Sequence, residues 1–478
     1  MQKKQIISRK PTSNGVNPNI FRAYDIRGLY PQDLNEEVAY KIGLAFSNLF
    51  KNIKEVVIGR DYRLSSPSLR NALVKGLQDG GKDIIDLGEI PVPVFYFGIA
   101  HYKKEGGLMI TASHLGKEYN GIKIQKEKAI PIVGETGIYK MREMVIKNQF
   151  KIIRKKTKII KKNIVQDYID YLCSKIKLSR PLKIILDTGN GACGDIPERI
   201  FRKLGCNVFT LYKEPNGNFP NHDADPYDPA TLKDLQKEII KQKADLGLAY
   251  DGDGDRVGLV DEGGRVISAD FILMMLARQA LEYKKGNIVY EIRVSKALFE
   301  DAENHGGKVF MSRVGHAYVL IEILRKKAIF GGEITGHLYC NYCYYSYDDG
   351  IFTGLKLAEI VSQLPKLSEY IDTLPYYYAS PEIFIDSDDE EKFKIIKNLQ
   401  RYLRENNYDF NDIDGARINF GNGWALMRAS NTAPLIKCRF EGKTKNDLIE
   451  IKKKSLEIFK KAGIPITKKT YQELGLAK

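Results

Sequence analysis

The sequence predicts several α/β domains followed by a separate α+β region. Three observations predict it. The chain has 478 residues, which leaves room for about three or four domains. From about residue 54 to residue 350, short β-branched runs alternate with longer helical patterns, as in sheets of parallel type covered by helices. The last hundred residues instead place closely spaced strands between two helices.

The predicted strands of the first region are EVVIGR (55–60), DIIDLG (83–88), GLMITAS (107–113), KIILDTG (183–189), DLGLAY (245–250), NIVYEI (287–292) and AIFGGE (328–333). The predicted helices are 35–51, 67–79, 192–204, 230–242, 268–284 and 316–326. These strands are too many for one sheet, and seams are expected near 151–163, 258–264 and 365–378. In the last region a strand (382–387) and a helix (389–405) precede strands at 416–420, 424–429 and 435–442. A final helix spans 444–461, with Thr444 as its N-cap.

Composition excludes several classes. Hydrophobic residues make up 43% and aromatic residues 10%, more than a wholly disordered chain carries. No apolar run approaches the roughly 18–20 residues of a membrane helix. The first residues, MQKKQIISRKPTSNGV, lack the apolar stretch of a secretory signal. Six cysteines do not make a disulfide scaffold. The single C-x-x-C, Cys340 and Cys343, has aromatic and polar neighbours and reads as ordinary thiols. A cytoplasmic setting is expected.

Lys and Arg exceed Asp and Glu by 75 − 60 = 15. Such a balance suits an anionic partner: nucleic acid, an anionic membrane surface or a phosphorylated small molecule. The densest basic stretch, Lys151 to Lys162, has seven Lys or Arg and no acid. It reads as a solvated strand and linker with its paired isoleucines inward. No RNA-binding aromatic motif or zinc-finger spacing accompanies it.

Chemistry is expected in loops at the carboxyl ends of strands. The first contains Thr111-Ala112-Ser113-His114, with Lys123 ten residues beyond the serine. A serine on a tight turn after a buried strand is exposed and held, and can be phosphorylated; the plainer alternative is a capping role. The second is Asp251-Gly252-Asp253-Gly254-Asp255-Arg256. Three carboxylates at alternate positions can converge on one hard cation. A calcium EF-hand is disfavoured, because Arg256 stands where its glycine belongs and the flanks read as strands. The third is Gly331-Gly332-Glu333-Ile334-Thr335-Gly336-His337. Glu333 and Thr335 at alternate positions can grip neighbouring hydroxyls of a sugar, and His337 can exchange protons near neutral pH; a simple bulged turn is the alternative. The fourth, Arg428 to Pro434, gathers Arg428, Ser430, Asn431 and Thr432 for a phosphate dianion, or forms a plain hairpin turn. No glycine-rich Walker loop is present. Together these loops specify phosphoryl transfer on a phosphorylated sugar.

The sequence resembles the α-D-phosphohexomutase superfamily, most closely bacterial phosphomannomutase/phosphoglucomutase. The resemblance covers nearly the whole chain: NIFRAYDIRG (19–28), VVIGRDYRLSS (56–66), the serine loop, EPNGNFPNHDADP (214–226), ADLGLAYDGDGDR (244–256), RVGHAYV (313–319), GGEITGH (331–337), DDG (348–350) and RASNTAP (428–434). It implies an α/β architecture of three related α/β domains with mixed sheets plus a C-terminal α+β domain like the TATA-binding protein, around a central cleft. The implied limits are 1–155, 156–260, 261–372 and 373–478. It implies an enzyme that interconverts hexose 1-phosphate and hexose 6-phosphate, of mannose, glucose or both, through phosphorylated Ser113 and a hexose 1,6-bisphosphate. Mg²⁺ is expected on Asp251, Asp253, Asp255 and the Ser113 oxygen.

By the same resemblance Tyr24 and Arg27 line the cleft beside the serine and its neighbour His114. Lys123 and Arg256 assist proton and phosphoryl transfer. His316 and His337 contact the sugar phosphate, Glu333 and Thr335 read the sugar 3- and 4-hydroxyls, and Arg428, Ser430, Asn431 and Thr432 hold the phosphate that does not react. Arg293 stands where a lysine is usual, and Thr335 where serine is commoner. Leu115-Gly116 replaces the usual Asn-Pro, which predicts a looser turn after the serine. Phosphoglucosamine mutases begin with a GTDGIRG-like motif, so FRAYDIRG favours the neutral hexoses. Phosphoglucosamine mutase and a degenerate sugar-phosphate-binding homologue are the alternatives. Sugar phosphates are the expected partners, with neither nucleic acid nor membrane, in a monomer or dimer.

Overall fold

The computed structural model describes residues 15–153, 155–388, 391–430, 434–464, 472 and 474. Among them the strands form sheets of seven, five, four and six strands, in chain order. Each of the first three grows from a β-branched run buried on both faces, as a sheet covered by helices requires.

In the first sheet Glu55–Arg60 lies between Asp83–Glu89 and Gly106–Ile110, parallel to both. Gly106–Ile110 then pairs antiparallel with Tyr119–Lys126, and Ile26–Leu29 closes that side. In the second, Lys183–Asp187 lies parallel between Asn207–Leu211 and Leu246–Tyr250, and Val257–Asp261 adds antiparallel. In the third, Asn287–Glu291 lies parallel between Lys308–Ser312 and Phe330–Gly332, and Leu338–Tyr339 adds antiparallel. The sheets are therefore mixed. In each, a strand that pairs in parallel turns back through a hairpin into an antiparallel strand, and the three chemical loops are these three hairpins: Thr111 to Glu118, Asp251 to Arg256 and Glu333 to His337.

The last sheet is antiparallel and includes Gly423–Ala429 beside Ala416–Asn419 and Leu435–Gly442. Helices Glu391–Glu405 and Lys445–Lys461 accompany it. Thr444 caps the second through a reciprocal capping box with Asp447. The fourth chemical loop joins the two central strands of this sheet.

The predicted strands and helices all form, with ends that match or differ by a few residues. The apolar run at 91–100 is the helix Val92–Ala100, which is buried nearly all round. The strand Val257–Asp261 and the helices Tyr139–Lys147 and Gly350–Val361 were not predicted. Residues 257–261 and 350–361 are so evenly buried that they show little periodicity.

One apolar cluster runs from Val57 through Leu248 to Leu355 and so spans the first three sheets. The last sheet has its own core around Leu399, Met427 and Phe459. A small seam of Ile292, Trp424 and Leu426 joins it to the third. There Arg417 donates from Nη1 to the Ile292 carbonyl at 2.7 Å and lies 4.1 Å from the Trp424 ring.

The basic stretch departs from its expectation. Ile159–Lys161 is an edge strand paired with Asp83–Glu89, but its isoleucines do not point inward. Ile152, Ile153, Ile159 and Ile160 are 43–60% exposed. A three-residue edge strand covers little surface, and flanking lysines keep such an edge from pairing with another chain.

The helix Glu36–Leu49 packs on Ser66–Asp79 at glycine contacts. A Cβ added at Gly76 would lie 2.1 Å from the Tyr40 carbonyl oxygen. Gly76→Ala should therefore destabilise the first domain by about 1–3 kcal/mol, read as a lowered melting temperature in thermal denaturation.

Candidate active site

The site is built where the four hairpins meet. Ser113 follows the buried strand Gly106–Ile110 but, against the expectation of an exposed serine, is only 4% exposed, because its turn packs on Asp251 and Gly252. Its φ is +53°, the left-handed region that a non-glycine residue enters only when its surroundings hold it there. Ser113 Oγ donates to Asp251 Oδ2 at 2.7 Å and lies 3.4 Å from His114 Nδ1. Burial, with Arg256 and Arg27 nearby, pushes the His114 imidazole well below its usual range, so that it is neutral. The Ser113 carbonyl approaches Gly252, where an added Cβ would meet that oxygen at 2.5 Å. The glycine between the first two aspartates is thus one point at which the first two domains touch.

Asp251, Asp253 and Asp255 are all fully buried. Each offers an oxygen within 4.8 Å of the others. Asp251 also accepts from Arg256 Nε at 3.0 Å, and Asp253 from Thr111 Oγ1 at 2.9 Å. Lys123 reaches in from Tyr119–Lys126, 3.0 Å from Asp253 and hydrogen-bonded to Asp255. Burial works against its charge, but Asp253 and Asp255 hold its pKa well above the ordinary lysine range. Burial, together with repulsion among the three, moves Asp251 and Asp255 upward. For Asp253 burial acts in the same sense, but Lys123 outweighs it and the pKa falls. The protein's own cations leave Asp253 Oδ1 and Asp255 Oδ1 buried without hydrogen-bond partners among the described residues. Orphaned carboxylate oxygens beside a serine oxygen are a donor set that fits a hard divalent cation.

The third hairpin brings Glu333 and Thr335 together by turning, where the sequence predicted alternate positions on an extended chain. Thr335 Oγ1 donates to Glu333 Oε2 at 3.1 Å, and the Gly315 amide donates to Glu333 Oε1 at 2.6 Å. His316 and His337 stack with ring centroids 4.9 Å apart. Both face Asp348, which lies 2.6 Å from His337 Nδ1 and 3.5 Å from His316 Nδ1. Burial lowers His337, whereas the hydrogen bond with Asp348 outweighs burial and raises His316. Burial lowers and Asp348 raises both imidazoles, and the balance leaves His337 below and His316 above the ordinary range.

Toward the last domain, Arg293 is bonded to Glu291 at 3.0 Å and lies 3.5 Å from Glu382. Glu382 also pairs with Lys437 at 3.0 Å. Arg428, 3% exposed, is held by Asp414 at 3.1 Å. Ser430 is buried and adjoins Arg428 on the same hairpin. Asn431 and Thr432 lie outside the described residues.

These groups surround one cavity of about 400 Å³. Tyr24, Arg27, Ser113, His114, Lys123, Arg256, Arg293, His316, Glu333, Thr335, His337, Arg428 and Ser430 all line it. Tyr24 packs edge-on against His316, and Arg27 is anchored by Asp25 at 2.6 Å. Sequence reasoning missed the wall residues Asp225, Tyr227 and Lys437, and the supports Asp348 and Glu382. Asp348 had a signal, the DDG run that precedes a helix. Lys437 had none, because a lysine in a strand reads as solvated.

Fold and site together define a multidomain enzyme of phosphoryl transfer on phosphorylated sugars. Models of the phosphoglucomutase/phosphomannomutase domains match in order: α/β/α domain I at residues 18–151, domain II at 166–264, domain III at 268–378 and the C-terminal domain at 385–458. Phosphomannomutase/phosphoglucomutase of Pseudomonas syringae pv. tomato is 38% identical over 440 residues, covering 90% of this chain and 93% of the relative. Phosphomannomutase of Escherichia coli K12 is 34% identical, covering 91% and 97%. The crystal structure of a phosphoglucomutase/phosphomannomutase family protein from Burkholderia thailandensis superposes with a TM-score of 0.88 at 32% identity, over 95% of this chain and 99% of that one. The chain belongs to the phosphoglucomutase/phosphomannomutase family and is a phosphohexomutase.

Among the described residues, no helix is long and apolar enough to cross a membrane.

Removing Lys123 leaves Asp253 and Asp255 buried without their cation, a loss of about 3–5 kcal/mol for a broken buried pair. Lys123→Met should lower the melting temperature in a chelator, and added Mg²⁺ should recover part of the loss. Equal melting of variant and wild type in the chelator would contradict this balance of charge.

Proposed function

We propose that this enzyme interconverts the 1- and 6-phosphates of glucose and mannose through phosphorylated Ser113 and a hexose 1,6-bisphosphate, with Mg²⁺ held by Asp251, Asp253, Asp255 and the serine's phosphate. The observation that carries the proposal is the 2.7 Å contact between Ser113 Oγ and the buried aspartate cluster. Mg²⁺ bound there offsets negative charge on the transferring phosphoryl group.

The residues divide the work as follows. A hydroxyl of the bound sugar phosphate attacks the phosphorus on Ser113; the P–Oγ bond breaks and Oγ regains a proton. In the second half the serine hydroxyl attacks the other phosphate of the bisphosphate; the bond from that phosphorus to the sugar oxygen breaks, and the sugar oxygen takes up a proton. The serine's proton passes to a neighbouring base, and neutral His114 at 3.4 Å is placed to accept it. Arg256, anchored on Asp251, and Lys123 supply positive charge around the transferred group. His337, oriented by Asp348, serves the proton on the sugar side. Arg293, Arg428, Ser430 and Lys437 hold the phosphate that does not react, with Asn431 and Thr432 beside them in sequence.

Glu333 and Thr335 accept and donate to the sugar 3- and 4-hydroxyls. The bisphosphate turns over in the cleft while keeping those two contacts. The 2-hydroxyl is not needed for this grip, so the C2 epimers glucose and mannose are both substrates.

Ser113→Ala should abolish turnover of glucose 1-phosphate and mannose 1-phosphate in an assay with Mg²⁺ and a trace of 1,6-bisphosphate. A fully active variant would overturn the phosphoserine route. Glucosamine 1-phosphate in the same assay should be the poorest of the three.

Glu333→Gln should weaken a charged hydrogen bond of about 1.5–3 kcal/mol, which corresponds to roughly 10- to 150-fold in kcat/KM. The loss should be similar for both epimers. A loss confined to one would mean that Glu333 reads C2.

A further inference from the structure

Resting on the phosphoserine reading above, we infer that Arg63 is a positioning residue for Ser113, a guanidinium clamp that holds the serine loop in its left-handed turn. Ser113 Oγ reaches the aspartates only because its backbone sits at φ +53°, a conformation that costs a non-glycine residue roughly 1–2 kcal/mol. Something must hold it. The loop has no proline between Ser113 and Tyr119. Its own backbone bonds are few: Leu115 N to Ala112 O at 3.2 Å and Tyr119 N to Gly116 O at 3.1 Å.

Thr111 Oγ1 accepts from the Ser113 amide at 3.1 Å and the Tyr30 amide donates to the Glu118 carbonyl at 2.9 Å, and Arg63 adds four bonds more. Nη2 donates to the carbonyls of Ser113 at 2.8 Å and Leu115 at 2.7 Å. Nη1 donates to Gly116 at 2.7 Å and Tyr119 at 3.3 Å. Nε donates to Asp61 at 3.1 Å. A guanidinium has five N–H donors, and these contacts use all five. Four of them converge on the loop that carries the serine.

The clamp is itself fixed. Arg63 is 1% exposed, and Asp61 also accepts from Ser66 Oγ at 2.5 Å. Asn120 then donates to both Ser65 and Ser66, which ties the helix start to the strand beyond the loop. From the second domain, the Phe219 ring lies 5.2 Å from the guanidinium and covers it. The Asn- and Pro-rich stretch at 214–222, which the catalytic scheme leaves without a role, thereby gains one as the lid over the clamp.

The geometry requires arginine. A lysine has three donors on one atom and cannot satisfy four carbonyls spread along a turn. Arg63 does not line the cleft, so its effect must pass through Ser113 and must appear in the chemical step without weakening substrate binding.

The experiment uses the full-length enzyme with Mg²⁺, glucose 1-phosphate and a trace of glucose 1,6-bisphosphate, comparing wild type, Arg63→Lys and Arg63→Gln. A small misplacement of a reacting group costs up to roughly 100-fold, so kcat should fall about 10- to 100-fold while KM stays within about threefold. Stabilisation of each variant by Mg²⁺ in thermal melting should persist. If Arg63→Gln does not fold, Arg63→Lys alone decides. A kcat near that of wild type in the folded variants would overturn the inference. So would a joint collapse of kcat, KM and Mg²⁺ stabilisation, or a failure of both variants to fold, since either marks a residue needed only for folding. Wild-type protein inert toward glucose and mannose phosphates would overturn the phosphohexomutase reading itself, and this inference with it.

Discussion

Three carboxylates in a dry interior are the constraint on which the rest depends. Asp251, Asp253 and Asp255 have no solvent of their own, and burying unpaired charge is among the costliest things a fold can do. Their partners come from more than one domain. Lys123, Thr111 and Ser113 arrive from the first sheet, Arg256 from their own hairpin, and His337 from the third at 3.7 Å from Asp255. The cluster therefore fixes how three domains sit, and the apolar core they share fills the space behind it. Even so Asp251 and Asp255 are driven upward, by burial first and by repulsion within the cluster after it, despite Lys123 and Arg256. The cluster still holds buried carboxylate oxygens, Asp253 Oδ1 and Asp255 Oδ1, without a hydrogen-bond partner among the described residues. It suits a site whose last cation comes from solution.

The same backbone device is used three times for three chemistries. In each of the first three sheets a strand end turns back as an antiparallel neighbour, and the hairpin tip projects past the sheet. One tip carries Ser113, one the three aspartates and one Glu333 and Thr335. A fourth hairpin, from a wholly antiparallel sheet, adds Arg428 and Ser430. Rigid strands on either side of every tip give a positional accuracy that a long loop would not.

The excess of positive charge divides into two populations. Arg27, Lys123, Arg256, Arg293, Arg428 and Lys437 line the cleft, mostly tethered by a carboxylate that holds the cation in place. They suit an anionic substrate by position as well as by field. The lysines from Lys151 to Lys162 stand elsewhere, on and beside the short exposed edge strand Ile159–Lys161, where they protect the edge from pairing.

The sequence by itself determined the local events. Alternating β-branched runs specified Glu55–Arg60 and Lys183–Asp187, because side-chain period and burial are properties of a few neighbouring residues. Closely spaced acids, hydroxyls and glycines after such runs marked all four chemical loops, because a strand end must expose whatever follows it. The resemblance extended this to roles. Evenly buried elements such as Val257–Asp261 escaped notice, since they carry no periodic pattern. What only the tertiary structure decided was which distant groups meet. Asp348 between two histidines, Glu382 between Arg293 and Lys437, and Arg63 beneath the serine loop are pairings across 11 to 89 residues of chain. Nothing local distinguishes such a side chain from a solvated one. Its significance comes from burial, which removes water as the alternative partner and leaves each charge dependent on the one group the fold has set opposite it.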